Sequence, residues 1–313
     1  MTQPRENANP APPALTKGGA LALGNFDGVH RGHQAVIQTA RDYARAHAMP
    51  ARVLTLEPHP REVFQPQAAP FRLTPPPVKE RLLRGLGVDD VITLTFTPEL
   101  AALSAQRFVD EILVRDYGAQ HIVAGSDFVF GHKRGGDMRF LRDALAPYGI
   151  GLAEVAPFCD AGGLAFSSSR TREALQQGDV AAARRILGRP WSIAGLVARG
   201  AQRGRGFGFP TANIPLDGYL RPKFGVYAVT ARRVGEQVRH RGVANIGNRP
   251  TFDGVNEWLE AHLFDFDAEL YGQEWEVELL HFLRPEQAFS GLEALREQIM
   301  RDVVGAKGLL GGG

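Results

Sequence analysis

The chain reads as an α/β part built on a doubly wound parallel sheet, followed by a C-terminal β-barrel with a terminal helix. Three features lead there. From residue 20 to about residue 151, apolar strand-like runs alternate with helix-like runs, the pattern of a parallel sheet covered on both faces. From Gly188-Arg189-Pro190 onward, short strand-like runs are broken by Gly, Pro and Asn, the pattern of a small barrel. And the apolar run at 20–23 passes through a glycine turn straight into a helical pattern, a strand–turn–helix unit of the kind that places ligands at the carboxyl ends of strands.

Taken in order, residues 1–17 carry Pro4, Pro10, Pro12 and Pro13 without an apolar core, so they read as a disordered tail and not as a signal peptide. After the strand at 20–23 and the helix that opens at the first histidines, 52–56 reads as a strand, 78–86 as a helix and 91–96 as a strand. The stretch 105–117 reads as a helix and 121–124 as a strand, and 173–177 continues a helix begun by the polar residues before it. Beyond residue 188 the strands fall at 192–197, 225–231, 257–264 and 275–282, and an amphipathic helix at 292–304 closes the barrel. The division expected is therefore 18–187 and 188–313, after the tail.

Composition narrows the function. The 313 residues suffice for roughly two domains with proper cores. A net charge of +2 does not favour nucleic acid as a partner, and the absence of an apolar run of about 18 residues excludes a membrane-spanning helix. A single cysteine excludes an internal disulfide framework and fits the cytoplasm; Cys159 itself reads as a small buried filler.

Four clusters carry chemistry. The first is Gly24-Asn25-Phe26-Asp27-Gly28-Val29-His30-Arg31-Gly32-His33. Unpaired N–H groups at a helix start attract phosphate, and Gly32 keeps the approach clear. His30 and His33, three apart, share a helix face and are candidates to stabilise charge on an α-phosphate during attack. The alternatives are a helix-start decoration and half of a metal site; the latter lacks both a Glu between the histidines and a nearby cysteine. The second cluster, Ser167-Ser168-Ser169-Arg170-Thr171-Arg172, suits β- and γ-phosphates, with an ordinary helix N-cap as its alternative. The third, Gly125-Ser126-Asp127-Phe128-Val129-Phe130-Gly131, offers an aromatic surface and a carboxylate at a strand end, and leads into a flexible basic flap at 132–136. The fourth begins at Arg203 and narrows through Gly208 to Pro210-Thr211-Ala212-Asn213. Thr211 and Asn213 are hard ligands suited to Mg²⁺, and an ordinary turn into a strand is the alternative. Its partner is Glu260, which period-two alternation places with Trp258 and His262 on the face opposite Leu259, Ala261 and Leu263. It is either a solvated charge or a general base worth roughly 10²- to 10⁴-fold in rate. No Walker A pattern occurs in the chain.

Together with Glu57-Pro58-His59-Pro60, Gly225-Val226-Tyr227, Ala244-Asn245-Ile246-Gly247 and the stretch 259–266, these clusters follow one another in a family's order. From about residue 20 to 304 the chain resembles the bacterial bifunctional riboflavin kinases and FMN adenylyltransferases. The resemblance implies an N-terminal nucleotidyltransferase of the His-x-Gly-His type and a C-terminal riboflavin kinase barrel. It implies two reactions: riboflavin and ATP give FMN in the barrel, and FMN and a second ATP give FAD and pyrophosphate in the N-terminal part, both with Mg²⁺. Carried over, His30 and His33 contact the nucleotide phosphates, with Gly24, Asn25, Asp27 and Gly32 in the same loop. Ser167, Ser168, Ser169 and Arg172 grip the pyrophosphate, and Asp127 and Phe128 line the flavin side. Gly208 and Thr211 bind ATP, Thr211 and Asn213 hold Mg²⁺, and Glu260 activates the terminal ribityl hydroxyl. The chain departs from the family in Ser169 where Thr is usual, and in Gly206-Phe207, which implies a more mobile ATP loop. Two rivals follow from the same residues: a single-function adenylyltransferase with a merely structural barrel, and a non-catalytic flavin or nucleotide carrier.

Overall fold

The structure, a computed structural model, describes residues 17–198, 211–251 and 254–311. The expected tail thus lies, but for Lys17, outside the described residues, as do Gly206, Phe207 and Gly208. Two compact units interleave along the sequence: one draws on Met1–Asn25, Ala35–Phe64 and Leu83–Ala156, the other on Phe26–Gln34, Gln65–Leu82 and Pro157–Gly313.

The helices and strands are, in order, β1 (Ala20–Leu23), α1 (Arg31–Ala46), β2 (Ala51–Glu57), α2 (Pro60–Phe64), α3 (Pro76–Gly85), β3 (Asp90–Thr95), α4 (Pro98–Ala101), α5 (Ala105–Arg107), β4 (His121–Gly125), α6 (Met138–Leu145), β5 (Gly151–Val155), α7 (Ser168–Gln177) and α8 (Val180–Leu187). The barrel strands β6 (Trp191–Leu196), β7 (Thr211–Pro215), β8 (Gly225–Arg233), β9 (His240–Thr251), β10 (Gly254–Leu263) and β11 (Glu274–Pro285) follow, and then α9 (Leu292–Leu309).

The first unit holds a five-stranded, wholly parallel sheet of order β3-β2-β1-β4-β5. Every residue of β1 is buried, because both faces of a parallel sheet are covered. One face carries Leu21, Leu23, Ile122 and Ala124 against Phe108, Leu113 and Leu141; on the other, Ala20 and Ala51 meet Ala44. The strand order reverses between β1 and β4, so the turns after Leu23 and after Gly125 leave the sheet side by side at the switch point where such folds bind ligands. The stretch expected as one helix from 105 to 117 is α-helical only at its start; Phe108–Asp116 is a π-helix, which 3.6-residue periodicity does not distinguish.

In the second unit six antiparallel strands run β6-β11-β8-β9-β10-β7, and a bridge between Ala198 and Asn213 carries the chain after β6 back to β7. The curled sheet encloses Trp191, Ile193, Ile214, Tyr227, Ile246, Leu259, Leu263 and Val277. The terminal helix follows the barrel as expected: α9 lies on its outer face, where Ala306 joins Val226, Ala228, Val243 and Phe264. Strands β5 and β9 were not among those expected, and β7 is the strand named as the alternative for the segment through Asn213.

Candidate active sites

The glycine turn after β1 is held by a carboxylate. Asp27 is 2 % exposed and accepts hydrogen bonds from the backbone N–H of Leu73 (3.0 Å) and Thr74 (3.0 Å) and from the Thr74 hydroxyl (3.3 Å). Its other oxygen pairs with Arg172 Nη2 at 2.6 Å. The Thr74 hydroxyl also accepts from Gly28 N–H, and the Ser168 hydroxyl donates to the Asp27 carbonyl. This anchoring sustains a left-handed backbone at Phe26 (φ 52°), Gly28 (φ 84°) and Val29 (φ 44°), which is costly for a β-branched residue and persists only where surroundings enforce it.

The turn delivers two imidazoles. His30 caps α1: its carbonyl accepts from Gln34 N–H and its Nδ1 from His33 N–H at 3.3 Å, which leaves the ring proton of the neutral form on Nε2. The rings of His30 and His33 stack with centroids 3.6 Å apart, and the Phe26 ring stands edge-on to His33. Burial pushes His30 down to about 4, an effect that Asp27 opposes and that Arg172 and Arg189 reinforce; burial also holds His33 well below its ordinary value, helped by His30, Lys79 and Arg172. Near neutral pH both rings are therefore uncharged N–H donors. His33 Nδ1 is buried without a hydrogen-bond partner. A Cβ on Gly32 would lie 3.0 Å from the His30 ring and 3.3 Å from the Phe166 carbonyl, so a side chain there would press on that ring.

The serine cluster divides its labour. Ser167 is the N-cap of α7, its hydroxyl accepting from Arg170 N–H, so the ordinary capping alternative holds for that residue. Ser168 is tied to the loop of Asp27, and Ser169 is exposed. Arg172 directs Nε to the Phe71 carbonyl and Nη2 to Asp27. His30, His33, Asp27, Ser168 and Arg172, spread over more than 140 positions, are thus one constellation.

At the other loop of the switch point, Asp127 is exposed and Phe128 is half-buried, its ring stacked on Phe130 at 5.5 Å. The basic segment after it is tethered and not a free flap: Phe130 and Gly136 exchange two 3.0 Å backbone bonds, and His132 N–H donates to the Leu103 carbonyl. Cys159 is exposed, with its thiol on the Pro157 carbonyl; the buried-filler expectation fails because the segment beside it is a surface turn.

In the barrel, β10 pairs with β7 and β9 so that Glu260 lies directly opposite both Asn213 and Asn245. The alternation expected along β10 is present: Leu259, Ala261 and Leu263 enter the core and Glu260 faces the other way. Asn213 is 3 % exposed; its Nδ2 donates to the Thr211 carbonyl, but Oδ1 is buried without a partner. Among the described residues no group of three or more His, Cys, Asp or Glu side chains is arranged to hold a metal. Residues that sequence reasoning missed are Thr74, Lys79 and Arg189. Thr74 acts through one backbone N–H and a hydroxyl on a residue 47 positions from Asp27, and Lys79, though 2 % exposed, looks like any surface lysine of a helix.

A family model described as FAD synthetase matches residues 13–170, and one described as riboflavin kinase matches 187–310. The bifunctional riboflavin kinase/FMN adenylyltransferase of Escherichia coli K12 is 42 % identical over 95 % of both chains. The chain belongs to this bifunctional family. Family members from Pseudomonas fluorescens (43 % identical, 94 % of this chain and 93 % of that one) and Bacillus subtilis (40 %, 90 % and 89 %) agree. The crystal structure of a Streptococcus pneumoniae protein described as a macrolide-efflux protein superposes with a TM-score of 0.80 at 32 % identity, covering 91 % of this chain and 92 % of that one. Among the described residues no helix is long and apolar enough to cross a membrane. As a riboflavin kinase/FMN adenylyltransferase the protein phosphorylates riboflavin with ATP to FMN and adenylylates FMN with ATP to FAD. That sets aside both the single-function and the carrier alternatives.

Proposed function

We propose that the stacked His30–His33 pair serves adenylyl transfer and that Glu260 serves the kinase reaction. In the first, a phosphate oxygen of FMN attacks the α-phosphorus of ATP. That oxygen is already ionised near neutral pH, so no protein base is needed. The uncharged His30 and His33 donate N–H bonds to α-phosphate oxygens, where negative charge builds at the transition state. Ser167, Ser168, Ser169 and Arg172 border the departing pyrophosphate, Arg172 offering Nη1 while its other nitrogens hold the loop. Gly24, Asn25, Asp27 and Gly32 shape the loop itself, and Asp127 and Phe128 face the flavin.

In the second, Glu260 takes the proton of the terminal ribityl hydroxyl as its oxygen attacks the γ-phosphorus of the ATP held by Gly208 and Thr211, and the bond from that phosphorus to the β–γ bridging oxygen breaks to release ADP. The observation that carries this reading is the orphaned Oδ1 of Asn213 facing across the ladder from Glu260. A buried amide oxygen lacking a donor costs free energy unless a ligand satisfies it, and a hard oxygen two residues along the strand from Thr211 suits Mg²⁺. Thr211 and Asn213 would hold the ion, with nucleotide phosphates completing its shell; when bound, it supplies neutralisation of phosphate charge. The same reading divides the chain at 18–187 and 188–313 and places it in the cytoplasm.

Glu260→Ala should abolish FMN formation from riboflavin while FAD still forms from supplied FMN, and His30→Ala should do the reverse. Loss of both activities in either variant overturns the assignment.

A further inference from the structure

The loop that carries His30 is gripped by a residue that the two reactions do not account for. Arg189, half-buried, lies within the riboflavin kinase match, just before β6. Its Nη2 donates to the Gly28 carbonyl at 2.9 Å and its Nη1 to the Val29 carbonyl at 3.3 Å. Gln34 Nε2 donates to the same Val29 carbonyl (2.9 Å) and to the Leu187 carbonyl (2.9 Å), which ties the loop to the end of α8. Next to it, Trp191 Nε1 donates to the Leu73 carbonyl, whose own N–H is held by Asp27.

Two carbonyls on one guanidinium fix two consecutive peptide planes. A peptide unit is rigid and planar, so holding the Val29 carbonyl on one side directs the N–H of His30 to the other and sets where the imidazole begins. Arg suits this task because its donors form a fixed planar fork. The grip acts where the backbone needs it: Gly28 and Val29 are in left-handed conformations that an unsupported chain would leave. Burial lowers Arg189 to about 10, with Glu276 and Glu278 acting against that fall, so the guanidinium stays charged near neutral pH.

We propose that Arg189 is a positioning residue for adenylyl transfer, acting from within the kinase match by holding the Gly28 and Val29 carbonyls and thereby the approach of His30 to the α-phosphate. This rests on the role assigned to His30 above. It also means that the kinase portion contributes to the adenylyltransferase reaction through backbone support, with no contact to the nucleotide.

The test uses the full chain with Arg189→Met. Adenylylation of supplied FMN should lose at least tenfold in kcat while KM for ATP and for FMN stay within threefold, and phosphorylation of riboflavin should stay within twofold as the internal measure of folding. An unchanged adenylylation kcat overturns the proposal. So does a parallel fall in both activities, which would make Arg189 a support of the fold alone, and so does a loss confined to KM. His30→Ala run alongside separates the two levels. If it retains adenylylation, the role of His30 is wrong; if it loses adenylylation and Arg189→Met does not, the positioning role alone is wrong.

Discussion

Replacing Asp27 by Asn tests how the catalytic loop is held. The carboxylate is 2 % exposed and accepts from two backbone N–H groups, a hydroxyl and the Arg172 guanidinium. An amide of the same shape has one acceptor and one donor end. Turned one way, its NH₂ opposes the N–H groups of Leu73 and Thr74; turned the other, it opposes Arg172. Either way a donor faces a donor and the guanidinium loses its counter-charge. Removing one partner of a buried pair costs about 3–5 kcal/mol, and because the Arg172 side chain is 18 % exposed and reaches water, about 3 kcal/mol is the expected loss. At roughly 2–3 °C per kcal/mol for a chain of this size, Tm should fall by roughly 6–9 °C. Calorimetry on Asp27→Asn, Arg172→Met and the double variant measures this, and the double variant should recover about 2 kcal/mol relative to additivity. A shift of Tm under about 2 °C, or strictly additive single effects, would refute the view that this pair anchors the loop.

Three further outcomes follow from the same geometry. The native pKa of His30, about 4, lies below the 6.5 of the unfolded chain, so between those values the unfolded state binds a proton that the native state refuses. Stability contributed by the neutral ring is full above pH 6.5 and is lost as pH falls, by about 3 kcal/mol at pH 4; denaturation curves of His30→Asn should show a flatter pH dependence than the parent, and parallel profiles would count against it. Gly32→Ala should displace the His30 ring and cut FAD formation about tenfold or more, with riboflavin phosphorylation unaffected, because the added methyl meets that ring and the Phe166 carbonyl. Asn213→Ala should raise the Mg²⁺ concentration needed for half-maximal kinase activity while leaving that for adenylylation in place; an unshifted Mg²⁺ titration would remove Asn213 from the proposed ion site.

Some elements were legible because their cause is local. The buried run of β1, the glycine turn and the paired histidines stand within fourteen residues, and β10 shows its two faces in plain alternation. Others were hidden for physical reasons. Strand β9 carries Gly, Asn and Pro, which break any apolar period, and β5 is a mostly half-buried strand at the sheet edge. Cys159 reads as a buried filler because free cysteine is among the most buried residue types, but the chain turns there on the surface.

By itself, then, the order of apolar runs and short phosphate-directed motifs determined the two architectures, the family and the residue types available for each reaction. Only the folded chain decided what those residues are bound to. Asp27 turned out to hold its own loop through Leu73, Thr74 and Arg172, and Arg189 to hold the same loop from the far side of α8 in sequence. Such contacts run largely through backbone N–H and C=O groups, which every residue shares and no letter of the sequence distinguishes. The burial that keeps both imidazoles uncharged likewise belongs to the packing around them and not to histidine itself.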